Sequence, residues 1–534
     1  MLFAAALAAC ALACRREVPA ERPSAEGGTL VIAAPGDADN LLPPVATRQL
    51  AVHITERLFP RLAELQLDLR TDGDSAFIPV LARSWERRDP LTVVFHLDPR
   101  ARWQDGRRVT ASDVVYTFDV YRDSATDSPY RVTLQDIASV ERVDSLTVQF
   151  RFKRSYPEQV YDATYQMKIL PEHLLDTIPH ARLASSAFAH HPIGAGPFRF
   201  LSWEPGSEIT LLADTTWFLG RPHLKRLVWR VMPDVSAAVT ALLAGEADAM
   251  EFIPQRDQIE RAAGAPDLRL VPYPSPFLGG LLFNTRRPLF ADRDVRRAIA
   301  MAVDRATVVQ AVFGPYADVP VGYASSMMWV AHDSIRQPPF DTAAAGRLLD
   351  ARGWRMGADH LRHKAGQALA FTVMTPTTSR LRQEAAVLVQ EQLKRVGISM
   401  AIQPLEITVF TGRDRAGDFD AEMFSRTLDP SPSNLSQAWG NLAGNDNTGG
   451  YRSAGFDSLY AAAMAAPSHD RALPLWHRLL ERLNDDAPAV FLFTPKNQAA
   501  IHRRFEHVTI RPDSWLATVA TWSVAPDRRL PRDR

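Results

Sequence analysis

Several groupings in the sequence have residue types and spacings that can do chemistry. His360 and His363 stand at HxxH spacing, but two imidazoles hold a metal ion only when further ligands join them, and these lie in a polar, hairpin-like stretch without such neighbours. His190-His191 is a second pair, with no obvious nucleophile partner. Ile193-Gly194-Ala195-Gly196-Pro197 is glycine-rich. It lacks the Gly-Lys-Ser/Thr ending of a phosphate loop, and Pro197 removes an N–H donor. No Gly-x-Ser-x-Gly elbow, HExxH helix or GxxxxGK(S/T) loop occurs anywhere. A carboxylate pair is the one hydrolytic device these patterns do not address. No catalytic residue, resident metal or cofactor is therefore assigned, and an exported hydrolase is kept as a distant alternative.

The elements that position such residues must come from a chain of 534 residues, long enough for two to four domains. Lys+Arg and Asp+Glu are each 61, so the formal charge is zero and nothing points to nucleic acid. The two cysteines, Cys10 and Cys14, both lie in the opening MLFAAALAACALAC, which excludes a disulfide framework. That opening is too short to span a bilayer and reads as a signal-peptide core. Leu7-Ala8-Ala9-Cys10 resembles a lipobox, with Cys14 as the other candidate for lipidation; the alternative is a secretory signal without lipid. Arg15 to Gly28, rich in Pro, Glu, Arg and Ser, reads as a tether.

Local patterns predict the main elements. Leu91 to Leu97 alternates with period two, a strand with at least one buried face. Gln104-Asp105-Gly106 supplies a turn, and Thr110 with Asp113 makes a variant capping box before Val114, Val115, Phe118 and Tyr121 at helical spacing. Asp234 caps a helix that Gly245 ends. Val295, Ile299 and Val303 stack on one helix face, with Arg296 and Arg297 expected as a solvated basic face. Leu381 to Val396 is a helix stopped by Gly397 and followed by the alternating Ile398, Met400 and Ile402. Residues 412–455 are expected to be loop-rich, 456–483 helical in two pieces broken near Pro467, and Val490 to Thr494 a strand. Pro272-Tyr273-Pro274-Ser275-Pro276 is expected as a stiff break between two lobes.

Taken together, these phrases resemble the extracytoplasmic solute-binding proteins of the peptide/nickel class (family 5), the oligopeptide- and dipeptide-binding proteins that serve ABC importers. The resemblance is carried by Leu81-Ala82, Ser84-Trp85-Glu86, Phe95-His96-Leu97, Trp103, Asp105-Gly106, Thr110-Ala111, Asp113-Val114 and Phe118. It continues in order through Asp39-Asn40-Leu41-Leu42-Pro43, Gly194 to Phe198 with Ala195 where Thr is usual, Ala244 to Ala249, and Asn284-Thr285 to Arg305. It covers nearly all of residues 27–510. It implies an α/β, bilobal periplasmic-binding-protein fold of type II: two α/β lobes with a hinge and an extra α/β subdomain on the first lobe. The implied division is 1–14 signal peptide and lipobox, 15–27 tether, 28–50 with 191–272 and 495–534 first lobe, 51–190 its subdomain, and 273–494 second lobe.

The resemblance also implies a function: capture of peptides in the cleft between the lobes and delivery to an ABC permease, by a monomer anchored outside the membrane through its N-terminal lipid. It implies no enzyme activity. Relatives add the peptide as a strand and pair its α-ammonium with an acidic residue of the second lobe; the matching position is Asp429 in Phe424-Ser425-Arg426-Thr427-Leu428-Asp429-Pro430. Arg426 can receive a ligand carboxylate. Thr427 and Asn40 belong to the expected ligand set, as do Trp439, Tyr451, Tyr130 and Tyr273, these four with plain packing as the alternative. Non-peptide solutes, such as metal chelates or oligosaccharides, and a signalling or chaperone role remain open alternatives.

Overall fold

Thr29–Ala34 is buried at all six positions. Such a strand must be covered on both faces, as central parallel strands are. In the computed structural model, which describes residues 27–441 and 446–533, it pairs in parallel with Arg226–Val231 and with Ala249–Met250. Glu208–Ala213 and Phe198–Glu204 extend the sheet antiparallel beyond Arg226–Val231. These strands are the sheet of the first lobe. In the second lobe, Ala370–Pro376 lies parallel to both Ser399–Leu405 and Ala421–Thr427, and Phe277–Phe283 runs antiparallel on the far side of Ala421–Thr427.

One strand, Ala489–His502, belongs to both sheets and joins them into a single twelve-stranded frame. Its first part pairs with Phe277–Phe283, and its later part with Leu268–Pro274 and Ala249–Met250. Two expectations are corrected here. The strand does not stop at Thr494: it passes through Pro495, whose missing N–H falls where the strand changes partners and whose carbonyl accepts from the Ser275 N–H at 3.1 Å. Nor is Pro272 to Pro274 a break; these residues are strand, in register with Gln498 to Lys496.

A separate antiparallel sheet, ordered Ala82–Asp89, Thr92–Leu97, Thr147–Phe152, Ile137–Arg142, carries the helix Ala111–Arg122. The capping box is present: Asp113 Oδ2 accepts from the Thr110 N–H at 2.7 Å. Farther on, the helix Arg293–Ala302 forms as its periodicity predicts, but Arg296 is not on a solvated face. It is buried and donates to the carbonyls of Phe290, Asp486 and Ala487, because the helix His469–Asp486 ends against it and leaves acceptors that a cation satisfies. The stretch expected to be loop-rich holds the strand Ala421–Thr427 and the helix Leu435–Trp439. No helix of the described residues is long and apolar enough to cross a membrane.

Gly279 and Gly280 sit where Phe277–Phe283 meets the shared strand, at an irregularity in the ladder. A Cβ on Gly280 would collide with the Val490 carbonyl oxygen, and one on Gly279 with the Phe493 ring. Gly280→Ala should therefore lower unfolding stability by about 1–3 kcal/mol, the usual range for overpacking, in a denaturant titration. Unchanged stability would mean that the shared strand yields at this point.

Candidate ligand cleft

The strand Ala421–Thr427 positions the candidate site. One edge is laddered along its whole length, from Phe283↔Ala421 to Phe277↔Thr427. The other pairs with Ala370–Pro376 only at Val373↔Ala421 and Met374↔Glu422. From Phe424 to Thr427 that second edge has no strand beside it. The Leu428 N–H then donates to Pro276 O at 2.7 Å, and the chain turns through Asp429-Pro430-Ser431 into the short turn Pro432–Asn434.

Asp429 is half-buried, and Asn434 donates its side-chain amide to the carboxylate. Among the described residues no Lys, Arg or His forms an ion pair with it. Burial pushes its carboxyl up to about 6, with the nearby charge of Asp513 adding to the rise and the Asn434 bond opposing it. Tyr130, Tyr161 and Tyr165 lie close enough to feel its charge; burial is the main cause of their raised values, and Tyr130 reaches about 12. Tyr161 and Tyr165 stack at 4.8 Å, and the Tyr165 hydroxyl donates to Asp513 at 3.2 Å. A carboxylate ringed by phenols and lacking a cation is suited to an ammonium group.

The other candidates divide. Arg426 donates to both Asp414 oxygens at 3.2 Å and to Thr448 Oγ1 at 2.9 Å. It lines a cavity of about 940 Å³ that reaches Pro129 and Val132 of the smaller sheet's unit, with its charge already paired. Thr427 is exposed at the end of its strand. Tyr130 gives its hydroxyl to Ala46 O at 3.2 Å. Tyr273 is buried and donates to the Glu251 carbonyl at 3.1 Å. Asn40 uses its side chain within the protein, accepting from the Leu42 N–H of its own loop at 2.7 Å and donating to the distant Ala184 O at 2.8 Å. Trp439 and Tyr451 are buried in an aromatic cluster with Tyr323 and Phe491, and the Tyr451 hydroxyl donates to Asp486 at 2.7 Å. The expected lipidation residues Cys10 and Cys14 lie outside the described residues, as does Gly444 of the Asn/Gly-rich stretch.

A second buried carboxylate, Glu251, has no signal in the sequence. Glu251 follows Ala249–Met250 at the carboxyl end of a first-lobe strand, where open α/β sheets place ligands. It lines a cavity of about 360 Å³ with Asp37, Gln49, His53 and Trp515. Burial pushes Glu251 up to about 8 and His53 down to about 4. Burial favours the uncharged form of each; they lie 3.5 Å apart, and Gln49 donates to Glu251 at 2.8 Å. Such a group offers hydrogen bonds without net charge.

The model of the bacterial extracellular solute-binding proteins, family 5, matches residues 76–447, well over half of the chain. The chain belongs to that family. It is 28% identical to the oligopeptide-binding protein AppA of Bacillus subtilis, over 94% of this chain and 92% of that protein. It is 30% identical to a putative ABC transporter peptide-binding protein of Brucella ovis, over 62% of this chain and 60% of that one. The structure of Bacillus subtilis AppA in complex with a nonapeptide superposes with a TM-score of 0.80 at 26% identity, covering 94% of this chain and 99% of that one. The fold is thus the bilobal type II fold of family 5.

In this solute-binding protein the two lobes meet through a buried polar network. Glu158, beside the smaller sheet, accepts from Ser431 Oγ of the turn after Asp429 and from Thr71 Oγ1. Trp329 Nε1 donates to the same Thr71 hydroxyl at 2.8 Å, and His469 pairs with Asp72. Trp329, Ser431 and His469 come from the chain beyond Phe277–Phe283, Thr71, Asp72 and Glu158 from the chain around the smaller sheet. Burial raises Glu158 above the usual carboxylate range, partly offset by these donors. Glu158→Ala strands two hydroxyls and should favour separated lobes. The expected result is a larger radius of gyration of ligand-free protein by X-ray scattering; an unchanged radius would detach this network from closure.

Proposed function

We propose that this chain captures peptides in the cleft between its lobes and presents them to the permease of an ABC importer. The observation that carries the reading is Asp429: a partly buried carboxylate without a cation, at the end of a strand whose edge is open from Phe424 to Thr427. A peptide laid along that edge would continue the sheet through backbone bonds and set its α-ammonium against Asp429. Arg426 is held to Asp414 and serves the strand before any ligand carboxylate. The names of the AppA and Brucella relatives support peptide as the solute class and an ABC transporter as the partner. The protein acts by binding, without chemistry. We place it outside the cytoplasm as a monomer tethered by lipid at Cys10 or Cys14, with lobe boundaries near residues 50, 190, 272 and 494.

Native mass spectrometry of the protein from about Glu26, purified without added ligand, tests the reading. Adducts with peptide masses are expected, since such a cleft can retain ligand from the host. The absence of peptide adducts, together with no thermal shift in a peptide mixture, would move the assignment to a non-peptide solute. Asp429→Ala should weaken peptide binding by on the order of 2–5 kcal/mol, the range for removing one partner of a buried charge pair.

The raised Asp429 value fixes a pH dependence. In ligand-free protein a raised carboxyl adds stability below its ordinary value of 3.8 and loses it as pH rises through about 6. Ammonium binding has the opposite sign, because it needs the ionised form. Peptide affinity should therefore fall as pH drops through about 6, and titration calorimetry should find this dependence gone in Asp429→Asn. Equal pH profiles for the two proteins would remove Asp429 from the ammonium site.

A further inference from the structure

Gly27, the first residue the structure describes, donates its N–H to His223 O at 3.1 Å, and Gly28 O accepts from the Lys225 N–H at 2.9 Å. The preceding chain therefore meets the fold at the amino end of Thr29–Ala34, which lies level with the amino end of Arg226–Val231. The register carries this end across the sheet: Leu212 stands opposite Arg226, and Phe198 opposite Ala213. From Thr29–Ala34 to Phe198–Glu204 is three strand spacings, roughly 14 Å. This is the end away from the carboxyl ends of the parallel strands, where open α/β sheets take their ligands.

A basic hairpin is fastened to the far side of this end. Gln104 donates its side-chain amide to Phe198 O and its N–H to Gly194 O, both at 2.9 Å. Around it stand Arg100, Arg102, Arg107 and Arg108, all exposed. Among the described residues, Arg100 alone of the four forms an ion pair, with Asp98 at 2.7 Å. Asp105, the acid nearest the turn, is taken by His173 at 2.6 Å. Arg102 and Arg108 are bridge partners across the two arms. Like charges directly opposite repel, and an anion lying between them replaces the repulsion with two attractions.

Between the hairpin and Gly27 runs the loop from Asp214 to Lys225. It starts with the Asp214 N–H on Pro197 O at 2.9 Å and ends beside Gly28. Trp217 and Phe218 are half-buried and meet edge-on at 6.0 Å; Leu219 beside them is 41% exposed, and Arg221 and Lys225 after it are exposed. Asp214, the loop's one acid, accepts from the Thr216 N–H and hydroxyl. Such a sequence suits the boundary of a bilayer, where aromatic rings sit at headgroup level and cations meet phosphate. Cys14 and Cys10 stand thirteen and seventeen residues before Gly27, a reach of at most about 45–60 Å at roughly 3.5 Å per residue. A lipid there keeps this face near the membrane, where each Lys or Arg strengthens attachment to an anionic surface by on the order of fivefold.

Building on the lipid-tether reading above, we propose that this end of the molecule seats on the anionic phospholipid surface of the membrane that holds the tether. Arg102 and Arg108 take headgroup phosphate, Leu219 enters the interface, and the cleft is turned to the medium from which peptides arrive.

Co-sedimentation of the protein from about Glu26 with lipid vesicles tests the seat. At low ionic strength, binding to phosphatidylcholine vesicles holding about a third phosphatidylglycerol should exceed binding to pure phosphatidylcholine by about tenfold or more, and the excess should vanish in about 0.5 M salt. Arg102→Glu combined with Arg108→Glu should bring binding down to the phosphatidylcholine level. The comparison of lipids uses the unaltered protein, so it remains decisive even if that variant folds poorly. Peptide affinity should be the same with and without the charged vesicles. Equal binding to both lipids overturns the seat, and peptide binding lost on the vesicles overturns the orientation. The tether is read separately, from the intact mass of the protein extracted from its native membrane. A lipid on Cys10 or Cys14 without preference among vesicles ends the seat and keeps the tether; preference for phosphatidylglycerol without a lipid ends the tether and keeps the seat.

Discussion

The hydrogen bonds of Ala489–His502 are the constraint on which the rest of the molecule depends. The strand completes the second-lobe sheet with one part of its length and the first-lobe sheet with another. Neither sheet is finished without it, so the lobes cannot separate completely while both keep their ladders. Relative motion must be taken up where the strand changes partners, between Phe493 and Lys496 opposite Pro274 to Gly279. Three features gather there. Pro495 lacks an N–H, the ladder shifts register at Gly279/Gly280, and an apolar cavity leaves the crossing incompletely covered. A crossing built in this way bends more easily than the continuous ladders on either side.

The buried carboxylates are satisfied in two ways. In the framework, Glu56 is held well below the usual range by Arg61, Lys168 and Arg57, even though burial alone would raise it. Asp248 is likewise met by Arg504 and Arg532, and Asp533 by Arg504. These groups bring their own cations and are complete. Asp429, Glu251 and Glu158, by contrast, are raised by burial, and their partners are amides, hydroxyls or a histidine whose neutral form burial favours. Burying a carboxylate without a cation costs stability, and Asp113 and Asp162 bear the same cost within the fold.

The fold was legible in the sequence wherever local chemistry and final structure agree. The box at Thr110 and Asp113, the cap at Asp234, the stop at Gly397 and the break near Pro467 all act over a few residues, and all are present. Legibility failed where a distant partner decides the outcome. Arg296 reads as surface because nothing nearby tells that the end of His469–Asp486 lies against it. Ala421–Thr427 was hidden among turn-forming residues, since its ladder partner is about 140 positions earlier in the chain. At the cleft, the resemblance pointed to the segment holding Asp429, but residue type alone placed Trp439 and Tyr451 with it; the structure packs these two aromatics into the core. Glu251 carries no spacing signal at all. What makes it notable is its burial beside the His53 ring, 3.5 Å away, a pairing that only the folded chain brings about.

The turn after Asp429 ties these strands of argument together. Pro430 and Pro432 stiffen it, and Ser431 between them gives its hydroxyl to Glu158 across the lobe boundary. Asn434 at its end holds the Asp429 carboxylate. One short, rigid segment thus carries both a group that lacks a charge partner and a contact that exists only while the lobes meet. Anything that fixes Asp429 also fixes Ser431, and so favours the arrangement in which Glu158 is satisfied. A ligand shifts a two-state protein only by binding one state better than the other. Here that difference arises within six residues of chain, Asp429 to Asn434, without a relay through either core.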